Sequence, residues 1–183
     1  MMPSPYGAFG EDFIVTAVTP ERVVASIRRI AGDKVELGPL RAGPGGAATV
    51  VARGWMGEPS AEELATDLLA FAVKLPVDLD LEIRLGTTGR FAATGHIELR
   101  LSVRTESPPA IVIDVAPARP SDVHLTIEAR GVQAKLLQRA GDVDGELRRH
   151  AANYVNERVE SPEARRLTRV NLVPLIEKAW SAL

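Results

Sequence analysis

Between Val77 and Ala129 the chain alternates apolar and polar residues almost without interruption. Val77, Leu79, Leu81, Ile83 and Leu85 are interleaved with Asp78, Asp80, Glu82 and Arg84, and Ile97, Leu99, Leu101 and Val103 with Glu98, Arg100, Ser102 and Arg104. Ile111, Ile113 and Val115 continue the pattern, followed by Val123, Leu125, Ile127 and Ala129 set against His124, Thr126, Glu128 and Arg130. A strand points successive side chains to opposite faces, so each run has one dry row and one wet row. Four such runs in succession predict an antiparallel sheet with a solvated face; a parallel sheet covered on both sides would show continuous apolar runs. Gly86-Thr87-Thr88-Gly89 and Ser107-Pro108-Pro109 are the expected turns. The run from Val77 to Leu85 exceeds the usual strand of about five or six residues. Long strands twist and coil, so the sheet is expected to curve. A concave dry face must then be filled by a helix, a second layer or a ligand.

The flanking segments supply helices. Thr19-Pro20-Glu21 reads as a helix start, with Thr19 as cap, Pro20 at the first helical position and Glu21 at the positive end of the dipole. Val23, Val24, Ile27 and Ile30 form one apolar stripe, and Gly32 is a natural stop. Phe13 to Val18 reads as a short strand and residues 1–12 as a loose arm. Val35 to Leu40 and Ala47 to Met56 read as strands joined by the glycine-rich loop Arg41 to Gly46. That loop matches neither the phosphate-binding nor the dinucleotide-binding pattern and is read as a hairpin connection. Residues 57–67 are read as a polar connection. After Gly131, a stripe of Val132, Leu136, Leu137, Ala140, Val143, Leu147, Ala151, Tyr154, Val155 and Val159 predicts a long helix, with a kink or break at Gly141 and Gly145. Ser161-Pro162 ends it. Leu167 to Leu172 reads as a short strand, and Pro174 to Leu183 as a last helix with Leu175, Ile176 and Trp180 buried. The expected architecture is α+β: a long curved antiparallel sheet wrapped around a long C-terminal helix, with one amphipathic N-terminal helix. Residues 13–183 form a single domain behind the arm.

Composition narrows the function classes. The 183 residues carry 22 basic and 24 acidic side chains, a net charge of −2. That balance lacks the basic face nucleic acid requires. Aromatic residues are 4% of the chain, too few for the stacking platforms that hold single strands. There is no cysteine, which removes disulfides, thiolate metal sites and cysteine nucleophiles. Met1 to Tyr6 show neither a basic n-region nor an apolar h-region, and no stretch reaches the roughly 20 apolar residues of a membrane helix. A cytoplasmic location is the expectation. The bias to Arg, Ala and Val over Lys is that of a GC-rich bacterial genome.

Catalytic signatures are missing. His96, His124 and His150 lack the i, i+4 spacing of a helical metal site. His96 and His124 fall in the polar rows of their strands, where surface histidines are the simpler reading, and no metal is assigned. His150 lies beside Arg148 and Arg149 on the expected wet side of the long helix. No Gly-x-Ser-x-Gly elbow occurs. Asp78, Asp80 and Glu82 share a face, as on a solvated strand. Arg148, Arg149, Arg158, Arg165, Arg166 and Arg169 are interleaved with acidic residues and read first as a salt-bridged surface. A peripheral contact with anionic lipid is the other reading of that arginine-rich C-terminal region. No catalytic residue or cofactor is expected.

The order of elements resembles the tubular lipid-binding (TULIP-like) superfamily, in its small bacterial single-module form. The resemblance rests on an early amphipathic helix from Thr19 to Ala31, long curved strands, a long helix, and the ending Arg169-Val170-Asn171-Leu172-Val173-Pro174-Leu175-Ile176. It covers roughly Phe13 to Leu183 and implies a bent sheet around a helix with lipid in the groove between them. The dry rows and stripes, rich in Leu, Ile and Val, suit acyl chains or isoprenoids. They define the expected ligand-contacting set: Val24, Ile27, Leu79, Leu81, Ile83, Leu99, Leu101, Ile113, Leu125, Ile127, Leu147 and Tyr154. Two alternatives stay open. A helix-grip domain of the START or Bet v 1 type also curls a sheet around a C-terminal helix, and some of its members are cyclases. A protein–protein adaptor would use a sheet edge or the C-terminal helices.

Overall fold

A computed structural model describes residues 5–65, 69–140 and 143–182. The chain is α+β. Among the described residues, eight strands form a single, strongly curled antiparallel sheet. The centre is a hairpin of two very long strands, β4 (Ala70–Leu85) and β5 (Thr87–Glu106), paired from Ala70↔Ser102 to Leu85↔Thr87. Each strand has a different neighbour along each half. Near its C-terminal end β4 pairs with β2 (Ala48–Met56), which in turn pairs with β1 (Lys34–Ala42); its first residues pair with β3 (Ser60–Leu64). The first half of β5 pairs with β7 (Val123–Arg130) and the second with β6 (Ala110–Val115), whose outer edge carries β8 (Arg169–Asn171). The hairpin is thus shared by two half-sheets that diverge from it.

Most of the period-two pattern becomes burial, but Leu85, placed in the dry row, is 41% exposed at the end of its strand. Phe71, Val73, Leu75, Val77, Leu79, Leu81 and Ile83 are buried along β4, and Phe91, Ala93, Ile97, Leu99, Leu101 and Val103 along β5. Both strands extend past the alternating segments, β4 by seven residues before Val77 and β5 by ten before Ile97. Residues Ser60–Leu64, read as a polar connection, are strand β3. The loop Arg41 to Gly46 does join two antiparallel strands.

Among the described residues, six α-helices accompany the sheet. α1 (Pro5–Ala17) occupies the segment read as arm and strand, which corrects that reading: Ile14, Ala17 and Val18 meet the core at helical spacing, while Phe9, Phe13 and Val15 are exposed. α2 (Pro20–Ala31) is built as its caps dictate. The Thr19 hydroxyl accepts from the Arg22 N–H at 3.5 Å, and Gly32 ends it at φ 71° with its N–H donating to the Arg28 carbonyl. Val23, Ile27, Ile30 and Ala31 are its buried face. The Arg22 guanidinium donates back to the carbonyls of Thr16 and Ala17, so it also caps α1.

The segment after Gly131 forms two shorter helices, α3 (Val132–Ala140) and α4 (Val143–Val159), instead of one long helix; Gly145, expected at a kink or break, lies inside α4, and Gly141 lies outside the described residues, as do the side chains of Leu137, Ala140 and Val143. Leu147, Ala151, Ala152 and Val155 of α4 join the central core. Asn156 pins the chain between β6 and β7: its carboxamide accepts from the Ala118 N–H at 2.8 Å and donates to the Ala118 carbonyl at 3.0 Å. α5 (Pro162–Leu167), capped by the Ser161 hydroxyl, and α6 (Val173–Ser181) flank β8. Leu175, Ile176 and Trp180, expected to be buried, are 55%, 49% and 73% exposed, because no described element packs on that face of α6.

The β8 edge is held by charge. Glu106 accepts from Arg104 and from Arg169, while Arg104 also donates to Asp114. Hydrogen bonds from Arg104 and Arg169 hold the Glu106 carboxyl below the usual carboxylate range. A lowered folded value means the contribution is present above the ordinary carboxylate pKa and is lost as pH falls through the lowered one. Arg104 and Arg169 are exposed and Glu106 is half-buried at the sheet edge, so solvent screens the pairs and the effect is local. Hydrogen-exchange protection of the Ile113 and Leu172 amides, which bond across this edge, taken as the intrinsic rate over the observed rate at each pH, is expected to fall on acidification, and Glu106→Gln should abolish that step. An identical acid response in the variant would exclude Glu106 as its origin.

Candidate functional site

The apolar candidate lies where α2 and α4 meet over the inner face of the sheet. Ile27, Ile30 and Ala31 come from α2, Met56, Leu75 and Leu99 from the sheet, and Tyr154, Val155 and Val159 from α4; Arg158 completes the lining. The surface facing the cleft is wholly apolar. Its interior volume is about 20 Å³, room for roughly one water. Arg158 lies over the Tyr154 ring, 5.4 Å from its centroid, and donates to the phenol oxygen at 3.1 Å, so its methylenes complete the wall while its charge is held outward.

Of the expected ligand-contacting residues, Ile27, Leu99 and Tyr154 line this cleft. Leu79, Leu81, Ile83, Leu101, Leu125, Ile127 and Leu147 are buried in the surrounding core, and Ile113 packs against it half-buried. Val24 is half-buried at the side of the α2 stripe. Ile30, Val155 and Val159 belonged to recognised stripes without being singled out. Leu75 and Met56 carried no signal, because pairing alone brings their strands beneath α2 and α4.

The polar groups lie on the outer face. Asp80 pairs with Arg130 at 2.9 Å, and Glu82 accepts from Arg84 at 2.8 Å, which holds its carboxyl below the usual range. These carboxylates are balanced by arginines, as a solvated strand requires. Two depressions there, about 350 and 440 Å³, share Arg53, Asp80 and Arg130 and open widely to solvent. In the C-terminal region Arg149 pairs with Glu146 at 2.9 Å and Arg169 with Glu106.

The histidines divide. His96 and His124 are direct partners across β5 and β7, with ring centroids 4.9 Å apart. His150 is half-buried rather than wet, its Nε2 3.6 Å from a Glu146 carboxylate oxygen and without a hydrogen bond. Nothing among the described residues assembles a nucleophile with a base and its orienting group. No described helix is long and apolar enough to cross a membrane. No protein-family model, no curated protein and no solved structure matches the chain.

Proposed function

We propose that this protein binds a hydrophobic small molecule or lipid in the cleft between α2, α4 and the sheet, without chemistry of its own. The observation that carries the reading is the wholly apolar lining contributed by two helices and the concave sheet together. In this reading α4 is the long helix of a TULIP-like module, the curled sheet wraps it, and α2 is the amphipathic N-terminal helix that closes the groove. The ligand-contacting set is that of the dry rows, centred on Ile27, Leu99 and Tyr154. A volume of about 20 Å³ is far below that of ordinary ligand pockets, roughly 300–1,000 Å³. Occupancy therefore requires α2 and α4 to part, with Met56 and Tyr154 moving aside. Met56 suits this, being unbranched and polarizable.

Native mass spectrometry of the purified chain, followed by solvent extraction, is expected to show a bound apolar molecule. For an added fluorescent fatty acid, Ala31→Leu should weaken binding by about tenfold, or 1.4 kcal/mol, by filling the cleft. Equal binding by a folded Ala31→Leu variant would remove this site from consideration.

A second reading, a protein–protein adaptor, is favoured by one feature: α6 exposes Leu175, Ile176 and Trp180, an apolar face that carries tryptophan, a residue type enriched among interface hot spots. Sedimentation of the chain across concentration, with Trp180→Ala for comparison, tests whether that face associates.

A further inference from the structure

On the face of the sheet opposite the apolar cleft, we propose that His96, His124 and Glu98 form a binding site for a divalent first-row transition-metal ion of the zinc type. Three observations converge there. His96 and His124 are directly opposite on antiparallel strands, a position at which Cβ atoms lie about 4.5–5.5 Å apart. Glu98 is two residues from His96 on β5 and so shares its face. One ligand atom from each of the three lies within 4.8 Å of the others. His96 and Glu98 are half-buried and His124 is exposed.

The three donors are uncommitted. Among the described residues, none makes a hydrogen bond or an ion pair, although Glu98 has Lys74 as its register partner on β4. The nearby Asp122 is engaged, accepting from the Arg119 N–H at 2.8 Å, and is left out of the ligand set. Two imidazoles and one carboxylate suit zinc, nickel, copper or ferrous iron, whereas calcium and magnesium seek oxygen donors. An ion held at about 2.0–2.2 Å would draw the ligand atoms to roughly 3.4 Å apart in a tetrahedral arrangement. Side-chain rotation supplies that closure while the paired strands hold the backbone.

Three protein ligands leave a coordination position open. It faces a depression of about 430 Å³ lined also by Ser121, Thr126 and Arg148. Arg148 is part of the helix packed along β7, and its Nε is buried without a hydrogen bond. A divalent ion, one carboxylate and one guanidinium sum to a positive site, so the open position favours an anion such as hydroxide or a carboxylate. The site shares no ligand residue with the apolar cleft, and neither proposal depends on the other.

Titration calorimetry of the whole chain with zinc chloride, in a buffer free of phosphate, is the test. The expected result is one zinc per chain, lost in His96→Gln and in His124→Gln, weakened in Glu98→Gln, and unchanged in His150→Gln. Far-UV circular dichroism checks that each variant folds. If a glutamine variant unfolds, the imidazole proton resonances of the unmodified chain decide: zinc should shift those of His96 and His124 and leave His150 in place. No zinc binding, binding that survives the loss of both strand histidines, or resonance shifts confined to His150 would each overturn the proposal.

Discussion

Replacing Phe71 by alanine is expected to lower the folding free energy by about 3–5 kcal/mol, and Phe91→Ala to cost a similar amount. The two rings are 0% and 1% exposed and are the largest side chains so deeply buried. The chain has four phenylalanines, and Phe9 and Phe13 lie exposed on α1, so the aromatic part of this core rests on the other two. They anchor different halves of the hairpin. Phe71 stands opposite Leu101, where β4 is flanked by β3; Phe91 stands opposite Leu81, where β5 is flanked by β7. Positions 71 and 81 are ten residues apart on one strand, about 33 Å at 3.3 Å per residue. At that separation the two losses should add. A sum of about 6–10 kcal/mol approaches the whole stability of a typical domain, so the double variant should be unfolded in water. Urea denaturation of each single variant checks this. A loss below about 1 kcal/mol would mean that the surrounding leucines and valines collapse into the vacated space.

These two rings also mark where the sequence stopped being readable. From Val77 onward a charged or polar residue separates each apolar one, and the strand is evident. From Ala70 to Pro76 the outward positions are Ala70, Ala72, Lys74 and Pro76, so alternation blurs into an apolar run that ends in an apparent breaker. The same holds for Ala92, Thr94 and Gly95 ahead of Ile97. α1 was lost to a different effect. Phe13-Ile14-Val15-Thr16 has the composition of a strand, but Ile14, Ala17 and Val18 pack on the core at helical spacing, and tertiary contact overrides local preference. In α6 the apolar stripe was visible, but a stripe identifies a face and not what covers it. For the cleft, the helical side was legible in the stripes of α2 and α4, whereas the sheet side depends on register. So does the histidine pair. β5 meets β7 across His96 and His124 because the chain leaves β6 and returns to the other half of β5, a topological choice that no local pattern records.

Glycine positions carry the second large effect. Gly54→Ala and Gly95→Ala are each expected to destabilise by about 3 kcal/mol or more, the upper end for overpacking. A Cβ at Gly54 would lie 1.9 Å from the Asp78 carbonyl oxygen and 2.8 Å from the Leu79 Cα. A Cβ at Gly95 would lie 1.9 Å from the His124 carbonyl oxygen. In both cases the obstacle is backbone in a paired strand, which cannot rotate aside. Gly54 faces Leu79 across β2 and β4, and Gly95 faces Leu125 across β5 and β7. Glycine within a strand marks such close approach and sharp bending. Gly95 sits in β5 shortly before its pairing passes from β7, which ends at Ile97, to β6, which begins at Leu101. The curl that separates the two half-sheets thus depends on residues without side chains. Gly10 supplies the contrast: it is helical, with nothing within 4 Å of an added Cβ, so Gly10→Ala should stabilise by up to about 1 kcal/mol through helix propensity. Urea midpoints of the three variants separate a general tolerance of alanine from a local requirement for glycine. If Gly95→Ala folded as stably as the parent, the close approach of β5 to β7 would not exist in solution. The facing of His96 with His124, one residue along the same ladder, would lose its support as well.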